Sequence, residues 1–420
     1  MRPGTSATRP SLGGDFRRFW WAAAVSNLGD GIRLGAFPLL ALRLTDDPRL
    51  IGAVTAVTMA PWFVFGPIAG AAVDRGNRRG IMFAGQAGRA VLATALAVLV
   101  LTDEVTIWAL FVVGFGLGVG EVFVDSAAQA AVPQLVSADL LDRANGQMIT
   151  STTVFNEVVG IAIGAALFAA ATSAPFVVDA ATFVAGALLL TTVKRPLQGA
   201  RTATTRFTAD IAEGFRFLRR HLLLRRLAGS MALANVATNM SFGVLVILVI
   251  DELGASEAVF GLVLASGAVG GVLGSIVASG IAARIGRRVM LAVAPIVVVG
   301  CLLGNAVAQH PAVVATSLFV TMFVVIASTV PAQSLRQSVT PEPLLGRVIA
   351  SFRTFGLGAT PIGALLGGFV AKAADVRVTN LVAAGVCAVA AALMIRAVAT
   401  NPEGTKTGSD PTLYAVAEPE

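Results

Sequence analysis

The stretch GAAVDRGNRR, residues 70–79, sets four charges between two apolar runs, and GIAARIGRR, residues 280–288, sets three between two more in the second part of the chain. Aligned, they match Gly70 to Gly280, Gly76 to Gly286 and Arg78 to Arg288. Alanine and leucine coincide cheaply in an apolar chain, whereas glycine and arginine do not. Each flanking run reaches the roughly 20 residues that a bilayer core about 30 Å thick requires of a helix. The reading is of membrane helices joined by a short basic turn, laid down twice.

Composition agrees. Of 420 residues, 56% are hydrophobic and 13% charged, and the mean hydropathy is +0.80, a balance foreign to a soluble domain. The net charge of +7 does not point to nucleic acid, because the basic residues lie between apolar runs and not on one face. Cys301 and Cys387 fall in different apolar segments and His221 and His310 stand far apart, which excludes a disulfide framework and a Cys/His metal cluster. The first apolar run continues to about Leu42 without a small-residue cleavage pattern and reads as a retained span.

Sliding a window of span length along the chain predicts twelve helices, beginning near Phe19, Leu50, Ile81, Val105, Met148, Pro175, Leu227, Glu257, Val289, Ala312, Val348 and Val378. The longest connection, containing FTADIAEGFRFLRRHLLLRRL, is a basic amphipathic segment suited to a membrane surface. The expected organisation is a cytoplasmic tail over 1–18, a six-helix bundle over 19–193, a linker over 194–226, a second bundle over 227–400 and a disordered tail over 401–420. With the N-terminus inside, the outer loops hold only Arg43, Arg49, Lys372 and Arg377, so the basic asymmetry places both termini in the cytoplasm of a plasma-membrane protein. A second echo supports the duplication: AQAAVPQLVSADLLDR (128–143) aligns without a gap to AQSLRQSVTPEPLLGR (332–347). Parallel six-helix halves, all-α, are the predicted fold.

Gly70, Asp74, Arg75, Arg78 and Arg79 resemble the G-x-x-x-D-R-x-G-R-R signature of the major facilitator superfamily, with Gly76-Asn77 standing where that family has a variable residue followed by glycine. VPQLVSADLLDRAN (132–145), DAATF (179–183), EGFRFLRRHLLLRRL (213–227) and RQSVTPEPLLGRV (336–348) are similar to the drug, macrolide and siderophore exporter branch. The resemblance implies that spans one, four, seven and ten line a central cavity, which adds Asn235 and Asn239 to the candidate cavity residues. Physically, Gly70 permits close helix approach, and Asp74 and the arginines form charge-assisted bonds when the halves meet at that end, a gating latch that Asp125 is expected to join through Arg75 or Arg78. Plain positive-inside anchoring is the competing reading.

Eight ionisable residues fall within predicted spans: Asp30, Arg33, Arg89, Glu121, Asp125, Glu157, Asp179 and Arg353. Each costs about 2.5–3.5 kcal/mol unless paired, solvated or neutralised. Asn27, Asp30 and Arg33 step by three along span one and form a polar stripe, either bordering an aqueous passage or closing an internal pair. Glu121 and Asp125 lie one turn apart on one face. Glu157 reads as a second proton site or as a partner of Arg89, and Asp179, four residues past Pro175, as an interfacial capping or packing residue. Glycines 114, 116, 118 and 120 lack the strand context of a nucleotide loop and read as helix-packing positions, like Gly66/Gly70, Gly160/Gly164 and Gly363/Gly367.

The candidate cavity residues are poor in the hydrogen-bonding groups that a sugar requires. The expectation is therefore a proton-coupled antiporter that exports amphipathic small molecules, drug- or macrolide-like, by alternating access as a monomer, without cofactor or metal. A siderophore or metabolite exporter, or a non-transporting sensor on the same fold, is the alternative. No intramembrane nucleophile, base and orienting group converge, which excludes an enzyme.

Overall fold

The computed structural model describes residues 12–198, 215–340 and 344–399. Most of the predicted linker's middle, 199–214, and the tail 401–420 lie outside the described residues, as does the side chain of Arg353. Among the described residues twelve long helices and no strands are present. They are α1 (Gly14–Leu44), α2 (Pro48–Arg75), α3 (Arg78–Leu101), α4 (Ile107–Leu135), α5, α6 (Ala174–Thr191), α7 (Leu222–Gly243), α8 (Glu257–Ile285), α9 (Arg287–Ala306), α10 (Pro311–Ser338), α11 (Leu345–Ala373) and α12 (Val376–Ala399). Helix α5 runs in three consecutive pieces, Leu141–Ser151, Thr152–Gly160 and Ile161–Ala170, the middle one wound with i→i+5 hydrogen bonds. A second such piece, Ile247–Glu252, follows α7. Helix α1 starts ahead of the predicted span, at Gly14.

The turns follow from their residues. Asp47 caps α2 by accepting from the Arg49 amide at 3.0 Å, with Pro48 at the first helical position. Between α2 and α3 the reversal takes only Gly76 and Asn77. A Cβ on Gly76 would sit 2.7 Å from the Ala72 carbonyl oxygen, and Asn77 caps α3 by accepting from the Gly80 amide at 3.2 Å. The departure from the family signature at Asn77 is thus a helix cap. At the corresponding turn between α8 and α9, Gly286 alone reverses the chain, with φ +85°.

Among the described residues nine helices are long and apolar enough to cross a membrane; α1, α7 and α11 are not among them, and α1 and α7 carry polar side chains along the span. Two bundles form. In the first, α1 packs on α5 and α6, α2 on α4, and α3 on α4 and α6; adding six to each number gives the contacts of the second. The bundles meet along α2/α11 and α5/α8. This seam is tight at the far side, away from the chain ends. A Cβ on Gly52 would come within 2.6 Å of the Ala364 carbonyl oxygen, and one on Gly261 within 2.5 Å of the Ala165 side chain. Arg43 of α1 pairs with Glu257 of α8 at 3.0 Å. At the termini side, a Cβ on Gly66, Gly70 or Gly280 would meet nothing within 4 Å among the described residues. Small residues allow close approach where lipid offers helices no hydrophobic drive to associate. Among the described residues the Gly66/Gly70 contact expected from the sequence is not made, whereas Gly160/Gly164 pack on α1 and Gly363/Gly367 on α7. Glycines 114 and 118 face α2, and 116 and 120 face α3.

Candidate translocation site

The polar stripe of α1 is the centre of a buried charge cluster. Arg33, 3% exposed, donates to Asp30 Oδ1 at 3.0 Å and reaches α4 to donate to Glu121 Oε2 at 2.7 Å. From α3, Arg89 donates to the same Asp30 oxygen and to Ser26 Oγ at 3.4 Å, and its guanidinium lies 4.0 Å from the Phe183 ring centroid of α6. Gln86, one turn before Arg89, donates to Ser26 Oγ at 2.8 Å. Gly120 makes room for this arrangement, since a Cβ there would meet Arg89 Cγ at 2.5 Å. Three helices, α1, α3 and α4, are thereby tied through charge-assisted bonds that a low-dielectric interior strengthens, and α6 joins them through the cation–π contact at Phe183.

Asp179 differs from the sequence reading. It is 1% exposed, not interfacial, because Gly29 lets α6 close on α1 until Asp179 and Thr182 touch it. Among the described residues its Oδ1 has no hydrogen-bond partner. Arg89 takes Asp30 and not Glu157.

Two cavities flank the cluster. A central one of about 270 Å³ lies between the bundles, bordered by Arg33, Phe37, Thr55 and Glu157 on one side and by Phe242, Leu264 and Met322 on the other. A vestibule of about 680 Å³ lies within the first bundle, bordered by Asn27, Gln86, Asp125, Gln129, Thr152 and Glu157. Asn27 Nδ2 donates to Thr152 Oγ1 at 3.2 Å across its wall. Glu157 borders both cavities from the i→i+5 piece of α5, whose wide winding is a frequent feature of functional sites. Asn235 and Asn239 border neither; they lie against Gly356 and Gly363 of α11 and bond back to their own helix at 3.0 and 2.9 Å.

The residues of the predicted latch engage backbone. Arg78 donates to the carbonyls of Ala130 and Leu197 at 2.8 and 3.3 Å, and Arg79 to those of Val193 and Arg195 at 2.5 and 2.9 Å. Asp74 and Arg75 are exposed. Among the described residues no bond joins Asp125 to Arg75 or Arg78; Asp125 faces the vestibule. Sequence reasoning missed Ser26 and Gln86. The signal was present for Gln86, a polar residue three positions from Arg89 and so on the same helix face.

Two six-helix bundles related by repeat, closed on one side around a polar centre, make up the major facilitator fold, and the protein is a multi-pass membrane transporter of that class. The chain belongs to the transmembrane secretion effector family, whose model matches residues 5–416. It is 24% identical over 209 residues to macrolide efflux protein A of Streptococcus pyogenes, covering 49% of this chain and 51% of that one. The match thus spans about half the length of that relative. It is 27% identical over 381 residues to the MFS-type transporter YfiS of Bacillus subtilis, covering 85% and 87%. Among solved structures, nucleoside transporter NupG superposes with a TM-score of 0.77 at 12% identity, over 91% of this chain and 100% of that one.

Proposed function

We propose that the protein exports amphipathic, macrolide-like small molecules across the plasma membrane in exchange for protons, by alternating access. The observation that carries the reading is the placement of Glu157 beside both an apolar inter-bundle cavity and a polar vestibule, one wall away from the Asp30–Arg33–Glu121 cluster. Substrate and protons then bias one two-state equilibrium in opposite directions, as coupling requires. The macrolide efflux relative supports the cargo class. Basic residues gathered on the termini side support cytoplasmic termini. The tight far seam is then the outer gate and the state is inward-facing. Gly70, Asp74, Arg75, Arg78 and Arg79 act as a latch in the opposite state, once the termini side closes.

The test is uptake of a radiolabelled macrolide into inside-out vesicles with and without an imposed proton gradient. Wild type accumulates it only with the gradient, and Asp30→Asn and Glu157→Gln abolish that dependence. Transport that ignores both the gradient and the substitutions refutes the proposal.

A further inference from the structure

The vestibule has a chemistry of its own. Among the described residues that border it are two carboxylates, Asp125 and Glu157, and four amide side chains, Asn27, Gln86, Gln129 and Asn145, with no Lys, Arg or His. The central cavity, by contrast, carries Arg33. A second observation is independent of the acids. Gln86 is 4% exposed and its amide nitrogen is committed to Ser26 Oγ at 2.8 Å, yet among the described residues its Oε1 has no hydrogen-bond partner. A buried carbonyl oxygen left without a donor costs free energy that a ligand N–H recovers. Apart from the hydroxyls of Ser26, Thr152 and Thr153, the rest of the lining is apolar, with Phe19, Ala22, Ala23, Met82, Val124 and Ala128 among it.

We infer that the vestibule inside the first bundle is a binding site for a lipophilic ammonium cation, distinct from the central cavity, with Asp125 and Glu157 as counter-charges and Gln86 Oε1 as acceptor. Glu157, shared by the two cavities, hands the cation from one to the other. The identity of this cation as cargo rests on the export reading; its binding does not.

The experiment is fluorescence titration of the purified full chain, without any gradient, using N-(3-dimethylaminopropyl)dansylamide, an amphipathic amine that is cationic at neutral pH. Its control is N-(4-methylpentyl)dansylamide, the neutral molecule of the same shape. The amine binds saturably and at least about tenfold more tightly than the control, the scale of one charge-assisted contact. Asp125→Asn loses that preference and Asp125→Glu keeps it, which separates charge from folding. Ala23→Phe fills the vestibule and removes binding, while Ala268→Phe in the central cavity leaves it in place. Equal affinity for amine and control in wild type, or binding lost with Ala268→Phe and kept with Ala23→Phe, overturns the inference. Gradient-independent transport alongside charge-selective binding refutes the antiport proposal alone.

Discussion

Replacing Arg89 by leucine separates a structural cluster from a fortuitous one. The side chain is 1% exposed, bonds Asp30 and Ser26, and covers the Phe183 ring. Without it, Arg33 is left as the shared partner of two carboxylates, Asp30 and Glu121. Removing one member of a buried ion pair costs about 3–5 kcal/mol, because a charge remains uncompensated. The double variant Arg89→Leu/Asp30→Asn removes both charges and leaves the Arg33–Glu121 pair balanced. It is therefore expected to be more stable than Arg89→Leu alone, with a coupling energy of about 2 kcal/mol or more across the cycle. Equilibrium unfolding of the four proteins in mixed micelles measures this. If the two losses simply add, Asp30 and Arg89 are independent and the description of a four-helix charge cluster is wrong.

The interhelix glycines give a steric contrast: Gly164→Val drives a side chain into the backbone of Ile32 and abolishes folded protein on size exclusion, whereas Gly70→Ala, with open space within 4 Å, leaves the yield unchanged. Arg43→Gln removes a far-side ion pair whose members are 46% and 32% exposed, a contact worth about 0.2–1 kcal/mol. Spin labels at Thr45 and Ala255 should then report a correspondingly larger population opened on that side, and an unchanged distance distribution refutes the gate. Asp47 lies outside the spans, and bonds from the Arg49 side chain and amide hold its carboxyl down at about 2. Its capping contribution is accordingly complete above the ordinary carboxylate value of about 4 and is lost as pH falls through 2. Exchange protection of the Leu50 and Ile51 amides follows that midpoint, and Arg49→Gln moves it upward.

Much of the architecture is readable in the chain because bilayer thickness fixes helix length and because GAAVDRGNRR and GIAARIGRR betray the duplication. The Asn27, Asp30 and Arg33 stripe is equally local: three-residue spacing places it on one face without knowledge of any neighbour. What joins Asp30 to Arg89 is tertiary, since it depends on α3 lying beside α1 and on Gly120 leaving space. The same holds for Asp179, whose depth follows from the close approach at Gly29 and not from its position along α6. The vestibule was illegible for a different reason. It is a volume left by small side chains on separate helices, Ala22, Ala23, Ala128 and Gly186, none of which is unusual in a membrane segment. The latch arginines stand out in sequence, but the partners they take here are peptide carbonyls, which every residue carries. The i→i+5 winding over Thr152–Gly160 has no residue signature at all.

The grip of Arg78 and Arg79 on the carbonyls of Val193, Arg195 and Leu197 fixes where the inter-bundle connection departs from the first bundle. Asp15 adds to it by accepting the Lys194 and Arg195 amides at 3.0 and 3.2 Å. The α2–α3 turn and the root of the tether are consequently one mechanical piece. A displacement of that turn therefore carries the root of the tether, residues 193–197, along with it.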